Sequence, residues 1–216
     1  MAERKLDFDR EVALGQLPAG IRPAFRALWG LDLAFADVVA TSTDPNLGAI
    51  RLAWWRERLV ELDLREGAPA EPRLRAVASD LLPRGVAGSG LSKLEDAWVP
   101  LLQPFPWGEE QLSGLKLRGR ILFGIGARLL GASPSDAEAA GELWSLVDGA
   151  AHCSDSDTRN ILLREAVGLA PSRAPAAVRP LTMLAALSAH DVRPRGSFRR
   201  GLTALRHRYR GTFPSG

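Results

Sequence analysis

The chain has 216 residues, of which 46% are hydrophobic and 25% are charged, and it contains one cysteine. This composition fits one globular domain over residues 1–216, and it excludes a disordered chain, a disulfide scaffold and a cysteine-ligated zinc site. No window reaches about 18 consecutive apolar residues, which excludes a single membrane-spanning helix. The charged N-terminal segment and the lone thiol of Cys153 predict a cytoplasmic protein.

The basic side chains are almost all arginines. Of 28 basic residues only Lys5, Lys93 and Lys116 are lysines, and 25 acidic residues leave a net charge of +3. A charge so close to balance does not favour binding to nucleic acid. Guanidinium groups bind phosphate and diphosphate in a bidentate way, so the composition suits a smaller anionic ligand.

Helical periodicity, interrupted by proline and glycine, runs along the whole chain and predicts an all-α bundle. The first long helix is predicted from near Pro23 to Thr41, and the second over residues 47–66. The core-facing stripe predicted for the second helix consists of Leu47, Ile50, Trp54, Leu59 and Leu62. Residues 1–18 and 191–216 are expected at the periphery of the domain.

The remaining helices follow from the same signals. They are predicted over residues 72–82, after Ser92, over about 109–130, after residues 133–136, from residues 155–157 to 170, over 182–190 and over 197–210. Gly131 is the predicted C-terminal cap of the helix over about 109–130.

One face of the second helix carries the first candidate site. Arg51, Trp55 and Arg58 lie four and three residues apart and therefore share a face. Two interpretations stay open: an arginine clamp with an aromatic wall for an anionic ligand, or a core tryptophan with arginines at its rim. Trp54 lies on a different face and is expected in the core.

Three segments resemble the squalene/phytoene synthase family, most closely its short, divergent bacterial members. Residues 46–63 (NLGAIRLAWWRERLVELD) carry the most specific likeness, because adjacent tryptophans flanked by arginines in one helix are rare. Residues 25–41 (FRALWGLDLAFADVVAT) and 115–131 (LKLRGRILFGIGARLLG) resemble two further blocks. The likeness covers roughly residues 20–66 and 115–165, and it implies an isoprenoid-synthase-like bundle.

Active members of this family join two prenyl diphosphates head to head in an apolar cavity. Mg²⁺ ions and arginines neutralise the pyrophosphate leaving group, and paired aspartates on two facing helices hold the metal. A spacing of four residues puts both carboxylates of a pair on one helical face. The resemblance therefore implies Mg²⁺ as the cofactor, if this chain is active.

The first metal-binding helix departs from the family pattern. The paired aspartates correspond to Ala36 and Ala40, the preceding arginine corresponds to Leu33, and only the neighbouring acid, Asp37, is retained. Asp37 is thus either a remnant of the metal and diphosphate site or an acid beside the core.

The second metal-binding helix is also degraded. It offers Asp148, His152 four residues later and Asp155, while the Gln, Asn and Arg-Asp elements of the family are missing. Asp148 and His152 share a helical face, so they form either a metal or acid–base pair or a contact on the helix surface. The candidate site residues are Arg51, Trp55 and Arg58 for the substrate and Asp37 and Asp148 for the metal, with no catalytic residue assigned.

These departures predict a protein of the isoprenoid-biosynthesis type that has lost or impaired head-to-head condensation and acts by binding a lipid or a protein partner. Two alternatives stay open. One is an active Mg²⁺-dependent prenyltransferase on farnesyl or geranylgeranyl diphosphate with relocated acids. The other is a helical interaction protein, like the divergent relatives implicated in assembling respiratory complexes.

A cluster of arginines marks the end of the chain. It predicts either a solvated helix or a peripheral contact with the inner membrane or another anionic membrane or partner. Its members are Arg193, Arg195, Arg199, Arg200, Arg206, Arg208 and Arg210.

Overall fold

The computed structural model describes residues 5–64, 69–169, 171–192 and 197–214, and of residues 197 and 198 it describes the backbone. These ranges form an all-α helical bundle, which confirms the predicted fold class. The α-helices are α1 (Phe8–Gln16), α2 (Arg22–Thr41), α3 (Pro45–Leu62), α4 (Pro72–Asp80), α5 (Gly88–Leu91), α6 (Leu94–Trp98), α7 (Glu109–Leu129), α8 (Glu138–Ala151), α9 (Ser156–Gly168), α10 (Arg179–Asp191) and α11 (Ser197–Arg210). An isolated antiparallel bridge joins Arg173 and Thr212.

The helix ends follow the local sequence. A proline occupies the first turn of α2, α3, α4 and α10, where its missing N–H removes no helical hydrogen bond. The Asp44 carboxylate accepts a hydrogen bond from the backbone N–H of Asn46 and caps α3. Gly131 follows α7 with φ of 73°, a left-handed conformation that favours glycine at a helix C-terminus, as predicted.

The prediction of which α3 residues face the core is wrong for the first three of its five residues. Leu47, Ile50 and Trp54 are 59%, 65% and 43% exposed. The face that α3 buries is the neighbouring one, formed by Gly48, Leu52, Trp55, Leu59 and Leu62. Both stripes are apolar at helical spacing, so periodicity alone does not choose between them. The choice follows from packing: a Cβ at Gly48 would overlap the Leu102 side chain, and one at Gly88 would overlap the Leu59 carbonyl.

The N-terminal segment belongs to the core rather than to the periphery. Helix α1 packs against α10 and α2, and Ala13, Leu14 and Leu17 are buried. The expectation of a peripheral segment over residues 1–18 is therefore wrong for α1. The sequence hid this because only these three apolar side chains are buried, and the first half of α1 is rich in charged residues.

Helices α7 and α8 form the closest pair of the bundle. They cross where Gly119 meets Gly141, and a Cβ on either glycine would overlap the other's carbonyl group. This crossing brings the polar side chains of α7 and α8 together beneath α1 and α2. In the ranges described above, no helix combines the length and apolar character needed to cross a membrane.

Candidate functional site

Four charged residues from four different helices meet in the interior. We call them the buried charge cluster: Arg10 on α1, Asp32 on α2, Arg118 on α7 and Asp148 on α8. The side chains of Arg118 and Asp32 are 2% and 0% exposed, and that of Asp148 is 17% exposed. Charges so deeply placed are rare in proteins unless they are paired.

Arg118 is the centre of the cluster. Its Nε donates to Oδ1 of Asp32 over 2.8 Å, and its Nη2 donates to Oδ2 of the same carboxylate over 2.6 Å. Its Nη1 donates to Oδ2 of Asp148 over 2.7 Å. The guanidinium group therefore binds Asp32 in a bidentate way and reaches Asp148 with its remaining edge.

Arg10 completes the cluster from α1. Its Nη2 lies 3.5 Å from Oδ2 of Asp32 and 3.7 Å from Oδ1 of Asp148. Its Nη1 pairs with Asp7, whose carboxylate also caps α1 by accepting from the backbone N–H of Arg10. The cluster thus ties the first helix of the chain to three others.

Two tryptophans enclose the guanidinium groups. The Arg118 Cζ atom lies 4.7 Å from the ring centres of both Trp98 and Trp144, and the Arg10 Cζ atom lies 4.9 Å from Trp144. Such contacts attract a cation to the face of the ring, and the rings exclude water from the ion pairs. The cluster is therefore a largely buried, aromatic-walled group of charges.

The ionisation of the cluster follows from its geometry. Burial by itself would raise the pKa of Asp148, but the guanidinium groups of Arg118 and Arg10 outweigh burial and lower it below the usual range. Burial would likewise lower the pKa of Arg118, but Asp32 and Asp148 raise it. Arg118 and Asp148 therefore form a charged pair at neutral pH.

The carboxylate oxygens of this cluster are not arranged to bind Mg²⁺. Magnesium requires near-octahedral oxygen ligands, and both oxygens of Asp32 already accept hydrogen bonds from Arg118. A dication placed between Asp32 and Asp148 would meet the guanidinium group that occupies that position. Among the described residues, no group of three or more His, Cys, Asp or Glu side chains has a metal-binding arrangement.

Asp37, the predicted metal ligand on α2, lies in a separate ion pair. Its Oδ2 accepts from Nη2 of Arg73 on α4 over 3.2 Å. Asp37 and Asp32 are five residues apart and so point about 140° apart around α2. Asp37 therefore does not share its helix face with the carboxylate that meets Asp148.

The residues predicted to act with Asp148, His152 and Asp155, both make contacts with the backbone. The ring Nδ1 of His152 lies 2.8 Å from the backbone carbonyl of Asp148, at the exposed end of α8. Asp155 caps α9 by accepting from the backbone N–H of Thr158. Both side chains therefore have structural contacts at helix ends.

The predicted substrate residues on α3 occupy three different settings. Arg51 is exposed and donates to the hydroxyls of Thr41 and Ser42 at the end of α2. Trp55 is 9% exposed and its ring centre lies 6.1 Å from that of Phe35. Arg58 pairs with Glu61 over 2.6 Å on the side of the helix. Their role in binding a ligand stays a prediction.

Trp54, expected in the core, is half-exposed beside Trp55, with the two ring centres 5.2 Å apart. Together with Leu47 and Ile50 it gives α3 an apolar outer face.

A surface cavity lies between α2 and α4 and has a volume of about 470 Å³. Arginines form much of its polar lining, and each is already engaged: Arg22 donates to the Leu17 carbonyl, Arg26 to Glu11 and Arg73 to Asp37. Its apolar lining consists of short side chains, Ala19, Pro23, Ala27, Pro72 and Ala76. Neither Asp148 nor any of the three α3 site residues lines it.

Sequence reasoning missed three members of the buried charge cluster. Asp32 stands between leucines in a helix that is otherwise apolar on that side, and Arg118 stands in a similar setting in α7. An isolated charge on an apolar helix face is the signal that was available, since such a charge needs a buried partner. The partner itself was not predictable because 86 residues separate Asp32 from Arg118.

The fold and this cluster define the protein as an all-α bundle with an internal ion-pair cluster. Comparison with protein-family models, with curated proteins and with solved structures gave no match.

Proposed function

We propose that this protein is a non-catalytic relative of the squalene/phytoene synthases, in which arginine occupies the place of the metal, and that it acts by binding. The observation that carries the proposal is the position of Arg118. Its guanidinium group lies between Asp32 on α2 and Asp148 on α8, the two helices to which the resemblance assigns the metal ligands.

The face of α2 that carries Asp32 supports this proposal. Asp32 lies four residues before Ala36 and eight before Ala40, so all three share one helical side. On this side the paired metal aspartates are replaced by alanines, and the one carboxylate that remains is neutralised by Arg118. Helix α2 therefore still carries one carboxylate on the side where the family has its metal ligands, but this carboxylate is paired with Arg118 and cannot bind a metal.

The chemistry of the family explains why this replacement is incompatible with condensation. Ionisation of an allylic diphosphate needs mobile Mg²⁺ bound by carboxylates whose oxygens are free for the metal. Arg118 is fixed by three charge-assisted hydrogen bonds and by two tryptophan faces, so it cannot follow a leaving diphosphate. The cluster instead serves to join α1, α2, α7 and α8.

A binding role is supported by the distribution of apolar surface. Among the described residues, the side chains of the core and of the cluster lie in the interior, whereas Leu47, Ile50 and Trp54 are exposed together on the outer face of α3. Contiguous exposed apolar side chains typically mark a surface that meets another molecule.

A turnover assay tests the loss of catalysis. The full chain is incubated with farnesyl or geranylgeranyl diphosphate and Mg²⁺, and released pyrophosphate is measured together with the prenyl products. We expect no release above that of a chain-free control. Sustained turnover would overturn the proposal and support the alternative of an active prenyltransferase.

A second measurement tests for a retained diphosphate site. Binding of a ligand to the folded state raises the melting temperature. We expect farnesyl diphosphate to leave the melting temperature unchanged. A rise that disappears in Arg51→Ala and Arg58→Ala, but not in the control Arg164→Ala on α9, would instead establish the predicted clamp on α3.

A further inference from the structure

The last helix of the described chain has a fixed inner face. On this face of α11, Nε2 of His207 lies 2.9 Å from the Thr182 hydroxyl of α10, and the Thr203 hydroxyl lies 3.3 Å from Nδ1 of His190. Arg200 donates to the carboxylate of Asp9 on α1 and to that of Asp191 at the end of α10. These contacts fix the rotation of α11 about its axis.

The opposite face of α11 is apolar and exposed. Leu202, Leu205 and Tyr209 lie three and four residues apart and are 40%, 52% and 69% exposed. At about 100° per residue, their sector is centred on the side opposite His207 and Arg200. A helix that only covers α10 would carry polar residues there.

Arginines border this apolar sector on both sides. Arg199, Arg206 and Arg210 follow one edge and Arg208 follows the other, and all four are exposed. Residues 197–210 contain no aspartate or glutamate. No ion pair engages these four guanidinium groups within the ranges that the structure describes, so their charge is directed to solvent.

A small cavity adjoins the edge that carries Arg208. It has a volume of about 100 Å³ and is lined by Gln16, Arg179, Pro180, Met183 and Arg208. Arg179 also donates to the backbone carbonyl of Tyr209, which places a second guanidinium group beside the C-terminal end of the apolar sector. The cavity is too small for a prenyl chain, and its two arginines suit the phosphate of a lipid headgroup.

We propose that α11 is an interfacial helix that docks the protein on an anionic phospholipid bilayer. Leu202, Leu205 and Tyr209 enter the boundary between headgroups and acyl chains, while the bordering arginines bind the phosphates. The combination of an outward apolar stripe with arginines on both edges favours a bilayer over RNA, which would not require exposed leucines. This proposal is independent of whether the protein has lost catalysis.

Vesicle flotation with the full chain tests the docking. One set of vesicles contains phosphatidylcholine alone and the other contains phosphatidylcholine and phosphatidylglycerol in roughly equal amounts. We expect flotation only with the anionic vesicles, and we expect it to weaken as salt is raised, because screening shortens the reach of the arginines. Inorganic phosphate in the same buffer should not compete, since the apolar stripe needs a bilayer.

Matched variants separate the two components of the contact. We expect Leu202→Asp with Leu205→Asp to abolish flotation, while Val167→Asp, 42% exposed on α9, leaves it unchanged. Each arginine near an anionic surface strengthens binding about fivefold, so Arg206→Glu with Arg208→Glu should weaken it by well over tenfold, and Arg164→Glu should not. Circular dichroism confirms that each variant is folded.

Three results would overturn the proposal. They are the absence of flotation with anionic vesicles, equal flotation with vesicles of phosphatidylcholine alone, and flotation that survives Leu202→Asp with Leu205→Asp. The last result would indicate that the arginines bind by charge alone, a mode of binding that an acidic protein would serve equally well.

Discussion

Arg118 on α7 binds both carboxylate oxygens of Asp32 on α2, across 86 residues of sequence and with both side chains almost completely buried. The same guanidinium group reaches Asp148 on α8. One side chain therefore holds three helices in register. Because the Arg118–Asp32 pair is buried, removing one partner should lower the free energy of unfolding far more than removing a partner of a surface ion pair.

Removal of the central cation should destabilise the fold strongly. Arg118→Met leaves Asp32 buried without its main partner, and breaking one side of a buried ion pair costs about 3–5 kcal/mol. The control is Arg120→Met, since Arg120 is 43% exposed where it pairs with Glu142, and surface pairs contribute about 0–1 kcal/mol. Urea unfolding followed by circular dichroism measures both, and equal losses would contradict a structural role for the cluster.

The two adjacent tryptophans should differ sharply in their contribution to stability. Trp55→Ala removes a buried ring packed against Phe35 and should cost about 3–5 kcal/mol. Trp54→Ala removes a half-exposed ring and should cost less than about 1.5 kcal/mol. The free energies of unfolding in urea compare the two. A larger loss for Trp54 would show that the predicted, rather than the observed, stripe of α3 faces the core.

Two glycines in helices provide another matched pair. Gly119→Ala places a methyl group against the Gly141 carbonyl at the α7–α8 crossing, and such overpacking costs about 1–3 kcal/mol. Gly30→Ala in α2 meets no atom within 4 Å, so the better helix propensity of alanine should stabilise by about 0.5–1 kcal/mol. Melting temperatures should shift in opposite directions, and a shift of the same sign in both would argue against the close crossing.

His207 should make stability depend on pH. Burial lowers the pKa of its imidazole below the usual value, so the folded state takes up a proton less readily than the unfolded state. The stability that neutral His207 contributes is therefore fully present above the unfolded-state pKa of about 6.5, and it is lost as the pH falls from there through the lower pKa of the folded state. The slope of unfolding free energy against pH between roughly 5 and 7 should flatten in His207→Gln.

The control for this slope is Asn160→Gln, an exposed substitution on α9 that changes no titratable group. We expect its pH profile to match that of the unsubstituted protein. A slope that is unchanged in His207→Gln would show that another group takes up the proton.

Much of the helical architecture could be predicted from sequence because its signals are local. The start of α2 at a proline, the end of α7 before Gly131 and the separation of α8 from α9 by Asp155 all depend on residues within one turn of the boundary. The inner face of α3 was not predictable in the same way. Its residues offer two apolar stripes, and contacts from Leu102 and Gly88 select the one that is buried.

The candidate site shows the same division. The sequence by itself determined that the chain is helical and where several of its helices begin or end. It also determined that alanines stand where the resemblance expects metal ligands on α2. Only the tertiary structure decided which charges meet. Asp32, Arg118, Asp148 and Arg10 come from four separate helices. The crossing of α7 and α8 at Gly119 and Gly141 brings Arg118 and Asp148 together, and the packing of α1 and α2 adds Arg10 and Asp32. The physical reason is that a helix boundary depends on hydrogen bonds among neighbouring residues, whereas a buried ion pair depends on the packing of distant ones.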